Sequence, residues 1–235
     1  MTNLKFIFGR LIGAIPTLLV LICFAFFLVK SAPGGPFDFE RSLPEEVEKN
    51  LREAYNLDDP LYLQLTKYVG SILTGDFGPS FQYRDYTVTE LIMSGFPVSL
   101  RLGVAAIFLA LILGGTIGTI AALNQNSRLD YGVMFFGMVG ISIPNFVMAP
   151  LLVLIFSIAL NILPAGGYAN GAPLHMILPV VALALPQAAY IARLTRGSMI
   201  EVLNSNFVRT TRAQGLPLNT IIFKHVLKPT FLPVI

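Results

Sequence analysis

The chain has 235 residues, of which 54% are hydrophobic and 12% charged, and its mean hydropathy is +0.71. Soluble domains carry roughly 25% charged residues, so this composition excludes an ordinary soluble domain and indicates an integral membrane protein. The net charge of +3 does not indicate nucleic-acid binding, because the charge is segregated: residues 31–97 carry net −6 and the rest of the chain net +9.

The first predicted membrane span is Leu11 to Val29, which has no charge and follows Lys5 and Arg10. Basic residues favour the cytoplasmic side, so the N-terminus is predicted inside. A cleavable signal peptide also begins this way, but its apolar core is shorter, about 7–15 residues. The segment Lys30-Ser31-Ala32-Pro33 is also a poor cleavage site, so an uncleaved span is favoured. The single cysteine, Cys23, lies inside this run and is predicted to pack there.

Residues 31–97 are predicted to form a small helical insertion outside the cytoplasm. Ser42-x-x-Glu45 and Thr87-x-x-Glu90 are capping boxes that begin helices, the first running to about Tyr55, and Asp58-Asp59-Pro60 begins another. Gly75-Asp76-Phe77-Gly78-Pro79-Ser80 predicts a tight loop. Two interpretations stay open: a solvated loop over a pore mouth, or a docking surface for a soluble partner.

The second predicted span is Leu102 to Leu123, in which four glycines offer close-packing surfaces: Gly103, Gly114, Gly115 and Gly118. A short inner loop, Asn124 to Asp130, follows it.

No charged residue occurs from Tyr131 to Ala192, a run too long for one span of about 20 residues. Proline, glycine and asparagine cluster between Asn161 and His175, which is predicted to be an outer loop. The third span is therefore Tyr131 to Leu160, interrupted near Pro144, and the fourth is Met176 to about Ala192. Pro179 and Pro186 can kink the fourth span.

Arg193 to Pro229 is a basic segment with six Lys/Arg and one acid, so it is predicted to lie in the cytoplasm. Asn204-Ser205-Asn206 is expected to end one helix and cap the next, over Phe207 to Gln214. Gly215 is expected at a C′ position, and Pro217 as the first residue of a helix that Pro229 stops. The segment is either an interfacial loop that fixes topology or an element that receives force from a partner. Thr230 to Ile235 begins a fifth predicted span.

Motifs for catalysis or cofactor binding are missing from the sequence. There is no Gly-Lys dipeptide and hence no Walker A loop, no His-Glu-x-x-His, no Gly-x-Ser-x-Gly and no metal-ligand spacing. We therefore predict no catalytic residue, metal site or cofactor, and a structural role for His175 and His225. The predicted spans hold no carboxylate, which disfavours an ion-coupled secondary transporter, although broken helices are compatible with one.

Several stretches resemble the permease subunits of bacterial ABC importers of the peptide and nickel class. Arg209 to Leu216 reads Arg-Thr-Thr-Arg-Ala-Gln-Gly-Leu and matches the variant Arg-Thr-x-Arg-Ala-x-Gly-Leu that peptide-importer permeases carry. The general loop pattern of ABC permeases matches strictly only at Gly215 and Leu227. The other similar stretches are Ala14–Thr17, Ala32–Gly34, Gly75–Ser80, Phe96–Ser99 and Thr195–Leu203.

The resemblance implies an all-α, polytopic transmembrane bundle of the type I ABC importer permease fold, with a small helical extracytoplasmic insertion. Its expected parts are residues 1–30, with the first span, residues 31–97, the insertion, and residues 98–235, a permease core with a coupling loop at 193–229. It implies a non-catalytic subunit in the bacterial inner membrane that translocates oligopeptides; dipeptides or nickel are the alternatives within the family. A receptor or assembly factor is the competing class outside it. The resemblance also implies a chain that ends before the family's last two spans.

The implied partners are a second, homologous permease, two cytoplasmic ATPase subunits, an extracytoplasmic peptide-binding protein, the lipid bilayer and the peptide itself. The resemblance places the ATPase-coupling loop at eight residues: Arg209, Thr210, Thr211, Arg212, Ala213, Gly215, Leu216 and Pro217.

Polar residues within the predicted spans are candidates for the translocation path. They are Ser142, Asn145, Gln187 and Tyr190. Each of them is equally compatible with a hydrogen bond between helices.

Overall fold

The computed structural model describes residues 3–31, 59–80, 83 and 86–234, and these residues are largely helical. An isolated bridge between Pro79 and Thr87 is the only β-type pairing in that part of the chain. The predicted all-α class is confirmed. The predicted helix from Ser42 to about Tyr55 lies outside the described residues.

Eight helices follow in chain order within the described residues. Helix α5 continues directly into a π-helical stretch, Val153–Ala159, and α8 is a continuous run of three parts. The helices are α1 (Asn3–Ser31), α2 (Leu61–Leu73), α3 (Val88–Leu123), α4 (Arg128–Ser142), α5 (Asn145–Leu152), α6 (Pro173–Leu203), α7 (Asn206–Ala213) and α8 (Leu218–Thr220, π-helical Ile221–Val226, Leu227–Thr230). A short 3-10 turn, Ala169–Gly171, precedes α6.

Three of these helices are long and apolar enough to cross a membrane, namely α1, α3 and α6. Helices α4 and α5 qualify together, but they are bent by 104° at Ile143 and Pro144. Pro144 has an extended backbone, with φ −62° and ψ 144°, and it precedes the first residue of α5. The polytopic class and the predicted interruption near Pro144 are both confirmed.

The described helices are longer than the hydrophobic runs from which the spans were predicted. Helix α3 begins at Val88, directly after the predicted capping residue Thr87, whereas the apolar run within it begins at Leu102, and α6 continues through Pro179 and Pro186 to Leu203. At 1.5 Å per residue, the 31 residues of α6 measure roughly 46 Å, whereas the hydrocarbon core is about 30 Å thick. Hydropathy therefore located the apolar part of each helix and missed its polar ends.

The chain divides into two compact units, residues 1–95 and 96–235. In the first unit, the rings of Phe26 on α1 and Tyr68 on α2 lie with their centroids 5.8 Å apart. Lys67 pairs with Asp59 at 2.7 Å, next to the start of α2.

The predicted loop at Gly75–Ser80 and the capping box after it are confirmed in the first unit. Gly75 and Gly78 both have φ +79°, a conformation that costs glycine little. Glu90 Oε2 accepts a hydrogen bond from the Thr87 backbone N–H at 2.8 Å, and Thr87 Oγ1 accepts one from the Glu90 N–H at 3.1 Å. These reciprocal bonds fix the start of α3.

In the second unit, α3 and α6 approach each other at backbone distance. A Cβ atom added at Gly118 would stand 2.5 Å from the Ala192 carbonyl oxygen, and one at Gly114 would stand 2.6 Å from that of Ala188. Such contacts are possible only with glycine, which explains the row of small residues on α3. Gly103 does not belong to this contact, contrary to the prediction, because no atom lies within 4 Å of the corresponding position.

Helix α4 covers a second face of α6, and its contact is looser. A Cβ atom added at Gly140 would lie 3.6 Å from the Ala189 Cβ, and one at Gly137 would lie 4.0 Å from the Ala189 carbonyl oxygen. Two faces of α6 are therefore covered within the second unit, tightly by α3 and loosely by α4.

The tight contact predicts that Gly118→Ala lowers stability. Alanine favours a helix over glycine, but overpacking here should cost about 1–3 kcal/mol. Gly103→Ala on the same helix is the matched control, since its new methyl group meets open space. We expect thermal unfolding in detergent to show a lower midpoint for Gly118→Ala and an unchanged or higher one for Gly103→Ala. Equal midpoints would contradict the close contact.

Candidate functional site

The basic segment folds into the three-part arrangement that the sequence predicts: the end of α6, the short helix α7 and the helix α8. Helix α6 ends at Leu203 and α7 begins at Asn206, so the predicted helix over Phe207 to Gln214 is displaced by one residue. Asn204 Nδ2 donates to the Ile200 carbonyl at 2.9 Å, and Ser205 Oγ donates to that of Val202 at 2.6 Å. The Ser205 side chain thus closes α6 rather than capping α7.

Gly215 turns the chain out of α7. It has φ +78°, and its N–H donates to the Arg212 carbonyl at 3.0 Å, as expected for a C′ glycine. No atom lies within 4 Å of the position that a Cβ would take. Glycine is therefore favoured here by the backbone conformation and not by lack of space.

The two prolines of the segment lie one residue from their predicted positions in α8. Pro217 is the N-cap of α8 and not its first residue, because its ψ is 146° and the helix starts at Leu218. The helix ends at Thr230, so the stop predicted at Pro229 is displaced by one residue. The π-helical turn Ile221–Val226 lies just before Pro229. This wider turn shifts the preceding carbonyl groups, and so relieves the clash that a proline ring makes in a regular α-helix.

One face of α7 is buried in an apolar cluster. Val208 is fully buried and packs with residues from the C-terminal ends of α3 and α6 and from α8: Ala122, Met199, Ile221, Ile222 and Val226. Leu216 is half-buried against the same cluster. We call this set the α7 cluster. It joins the short helix to the ends of three others.

The rest of the α7 surface is exposed and basic. Phe207 is 46% exposed, and Arg209, Thr210, Arg212 and Ala213 are exposed. Arg209 and Arg212 form no ion pair within the described residues.

The threonine hydroxyls of α7 bond within the helix. Thr210 Oγ1 donates to the Asn206 carbonyl at 3.0 Å, and Thr211 Oγ1 to the Val208 carbonyl at 2.8 Å. The polar groups of the exposed face that remain for a partner are thus chiefly the two guanidinium groups, which would suit an acidic surface.

An ion pair between the buried Asp130 and the half-buried Arg196 was not predicted from the sequence. Arg196 Nε donates to Asp130 Oδ1 at 2.5 Å, and Arg196 Nη2 donates to Oδ2 at 2.7 Å. Asp130 is 1% exposed and lies in the first turn of α4, not in the loop where it was predicted. Two signals were available: Ser127-x-x-Asp130 is a helix-start motif, and Asp130 is the only acid between Glu90 and Glu201.

The four candidates for a translocation path fall into two groups. Gln187 and Tyr190 are exposed on the face of α6 that neither α3 nor α4 covers. The Tyr190 ring lies 5.7 Å from the Arg193 guanidinium carbon, and it lines a groove of about 370 Å³ with six other residues: Arg193, Leu194, Gly197, Ser198, Glu201 and Pro233. Ser142 and Asn145 flank the α4–α5 break, and Ser142 Oγ donates to the Met138 carbonyl of its own helix at 2.8 Å.

Comparison with known proteins gives two family matches that together cover most of the chain. Residues 114–235 match the family described as binding-protein-dependent transport system inner membrane component, and residues 3–103 match the N-terminal part of such membrane components.

Curated relatives agree with the family matches. The oligopeptide transport system permease proteins OppB of Salmonella typhimurium and Escherichia coli are each 56% identical over 232 residues, which are 99% of this chain and 76% of theirs. The dipeptide transport system permease protein DppB of Bacillus subtilis is 45% identical over 98% of this chain and 74% of its own. The chain thus spans about three quarters of the length of these relatives. These matches show that the chain belongs to the inner-membrane components of binding-protein-dependent transport systems.

Proposed function

We propose that this chain is a permease subunit of an ATP-driven importer that carries oligopeptides across the bacterial inner membrane. Its family and its apolar helices make it a multi-pass inner-membrane protein. The oligopeptide permeases among its relatives reach 56% identity, against 45% for the dipeptide permease. This difference favours oligopeptides over dipeptides or nickel as the substrate.

The proposed partners are a second, homologous permease, two ATPase subunits, a peptide-binding protein outside the cytoplasm and the lipid bilayer. The family description supports a binding protein in general terms. ATP hydrolysis would belong to the ATPase subunits, and this chain would have no catalytic role. Exposed apolar side chains along α1 and α3 are suited to lipid or to a second permease.

One observation supports the proposed mechanism: α7 has one side fixed in the α7 cluster, and the rest of its surface is exposed and basic. A helix of eight residues is too short to be stable alone, so the cluster sets its position. We propose that the exposed face, with Arg209, Thr210, Arg212 and Ala213, docks in an acidic groove of an ATPase subunit. Gly215 would turn the chain out of this groove, and Leu216 and Pro217 would lead it into α8.

The uncovered face of α6 is the proposed wall of the translocation path. Gln187 and Tyr190 lie on this face, next to the groove around Arg193 and Glu201. A polar stripe on a membrane helix is stable only against water or protein. Ser142 and Asn145 would contribute at the α4–α5 break. The chain would be organised as proposed from the sequence: residues 1–30, the insertion 31–97 and the core 98–235, with the N-terminus in the cytoplasm.

The proposed function is tested by uptake into vesicles that contain the complete complex with its binding protein. We expect ATP-dependent uptake of a labelled oligopeptide, which an unlabelled oligopeptide competes for and nickel does not. Uptake of dipeptides or nickel alone would favour the alternatives within the family. A complex that assembles and moves none of the three would contradict a transport function.

The proposed hinge predicts that Gly215→Val weakens coupling between ATP hydrolysis and transport. A β-branched residue at φ +78° should cost roughly 1–2 kcal/mol of strain. Gly215→Asn is the control, because asparagine tolerates the left-handed region. Peptide uptake per ATP hydrolysed should fall for the valine variant and change little for the asparagine variant. Equal ratios in both variants and the unmutated protein would make Gly215 an incidental loop glycine.

The proposed topology is tested by cysteine labelling in a Cys23→Ala background. Leu73→Cys, in the insertion, and Gln125→Cys, in the loop between α3 and α4, both place the thiol on an exposed residue. An impermeant thiol reagent should reach the first from outside the cell and the second only after the membrane is opened. Labelling of both from the same side would contradict the topology.

A further inference from the structure

The pair formed by Asp130 and Arg196 links three segments of the second unit. Besides both bonds from Arg196, the Asp130 carboxylate accepts a hydrogen bond from the Asn126 N–H at 2.9 Å. Asn126 has φ +63°, so the carboxylate also holds the loop between α3 and α4 in an uncommon backbone conformation. One buried side chain thus joins this loop, the first turn of α4 and the C-terminal part of α6.

These are the only hydrogen bonds between α4 and α6 in the part of the chain that the structure describes. The remaining contacts between the two helices include Gly137 and Gly140 against Ala189, at ordinary van der Waals distance. Such contacts are non-directional, whereas a bidentate ion pair fits in one geometry. The ion pair is therefore the directional contact between α4 and α6.

The pair also lies beside the α7 cluster along α6. Arg196 precedes Met199 by one helical turn, and Met199 is fully buried against Val208 of α7. A displacement of α7 therefore acts first on the end of α6 that carries Arg196. At its other end, α4 leads into the 104° bend at Ile143 and Pro144. At such a break a few backbone dihedral angles can change, so that the angle between two rigid helices changes.

We propose that Asp130 and Arg196 are positioning residues that transmit a movement of α7 to the bent α4–α5 pair. Docking of the ATPase would then change the geometry of the break at Ile143 and Pro144. This proposal rests on the proposed function as a permease. Folding alone does not require the pair, because apolar side chains of similar volume often replace a buried ion pair without loss of stability. A rigid, bidentate link does require it, since the guanidinium fork and the carboxylate fit in one geometry.

Two variants distinguish a role of the ion pair in coupling from a role in folding. Arg196→Lys keeps the charge and loses the two-pronged geometry. The double variant Asp130→Asn with Arg196→Met leaves no unpaired charge, and the asparagine keeps an acceptor for the Asn126 N–H. Arg128→Gln is the matched control, because Arg128 is exposed in the same first turn of α4. Each is assembled into the full complex, and peptide uptake and ATP hydrolysis are measured together.

We expect the two test variants to assemble and to hydrolyse ATP within about twofold of the unmutated complex, while uptake per ATP falls at least about fivefold, the lower end of allosteric coupling. Arg128→Gln should match the unmutated complex. Unchanged uptake per ATP in both test variants would overturn the proposal. Failure of both to assemble, while Arg128→Gln assembles, would also overturn it, because the pair would then be structural. Absence of uptake in the unmutated complex would instead count against the proposed function.

Discussion

The burial of Val208 against the C-terminal end of α6 is the contact on which the functional account depends. Full burial of a valine side chain stabilises a fold by roughly 1.5–3 kcal/mol, and α7 has no other fully buried residue. Without this contact, an eight-residue helix carrying two unpaired guanidinium groups would not hold a defined position. The same contact fixes which side of α7 is buried, and Arg209 and Arg212 lie on the exposed remainder of the helix.

Helix α6 makes two kinds of contact with its neighbours in the second unit. Glycines on α3 bring its backbone against the carbonyl groups of α6, and such close packing resists both rotation and sliding. Helix α4 instead meets α6 at ordinary van der Waals distance and through one ion pair. Helices α3 and α6 are thus suited to act as one rigid body, with the bent α4–α5 pair linked to it by a polar contact that can be tested separately.

Local features of the fold were predictable from the sequence, and long-range ones were not. Hydropathy located α1, α3, the broken pair and α6, and turn chemistry located the loop glycines, the Thr87–Glu90 box and Gly215. The pairing of Asp130 with Arg196 was not predicted because the two residues are 66 positions apart, and no periodic pattern in the sequence indicates such a contact. The π-helical turn Ile221–Val226 was not predicted, because no local pattern in the sequence indicates one.

The central claim, that the α7 cluster holds α7 in a fixed position on the ends of α3 and α6, is tested most directly by a distance measurement. Spin labels at Ala213 on α7 and at Asn124, next to the end of α3, would be compared in the Cys23→Ala complex without nucleotide and trapped with an ATP analogue. The account predicts that this distance changes by less than about 2 Å, the scale of a small helix adjustment. A shift near 5 Å, about one helical turn, would contradict it.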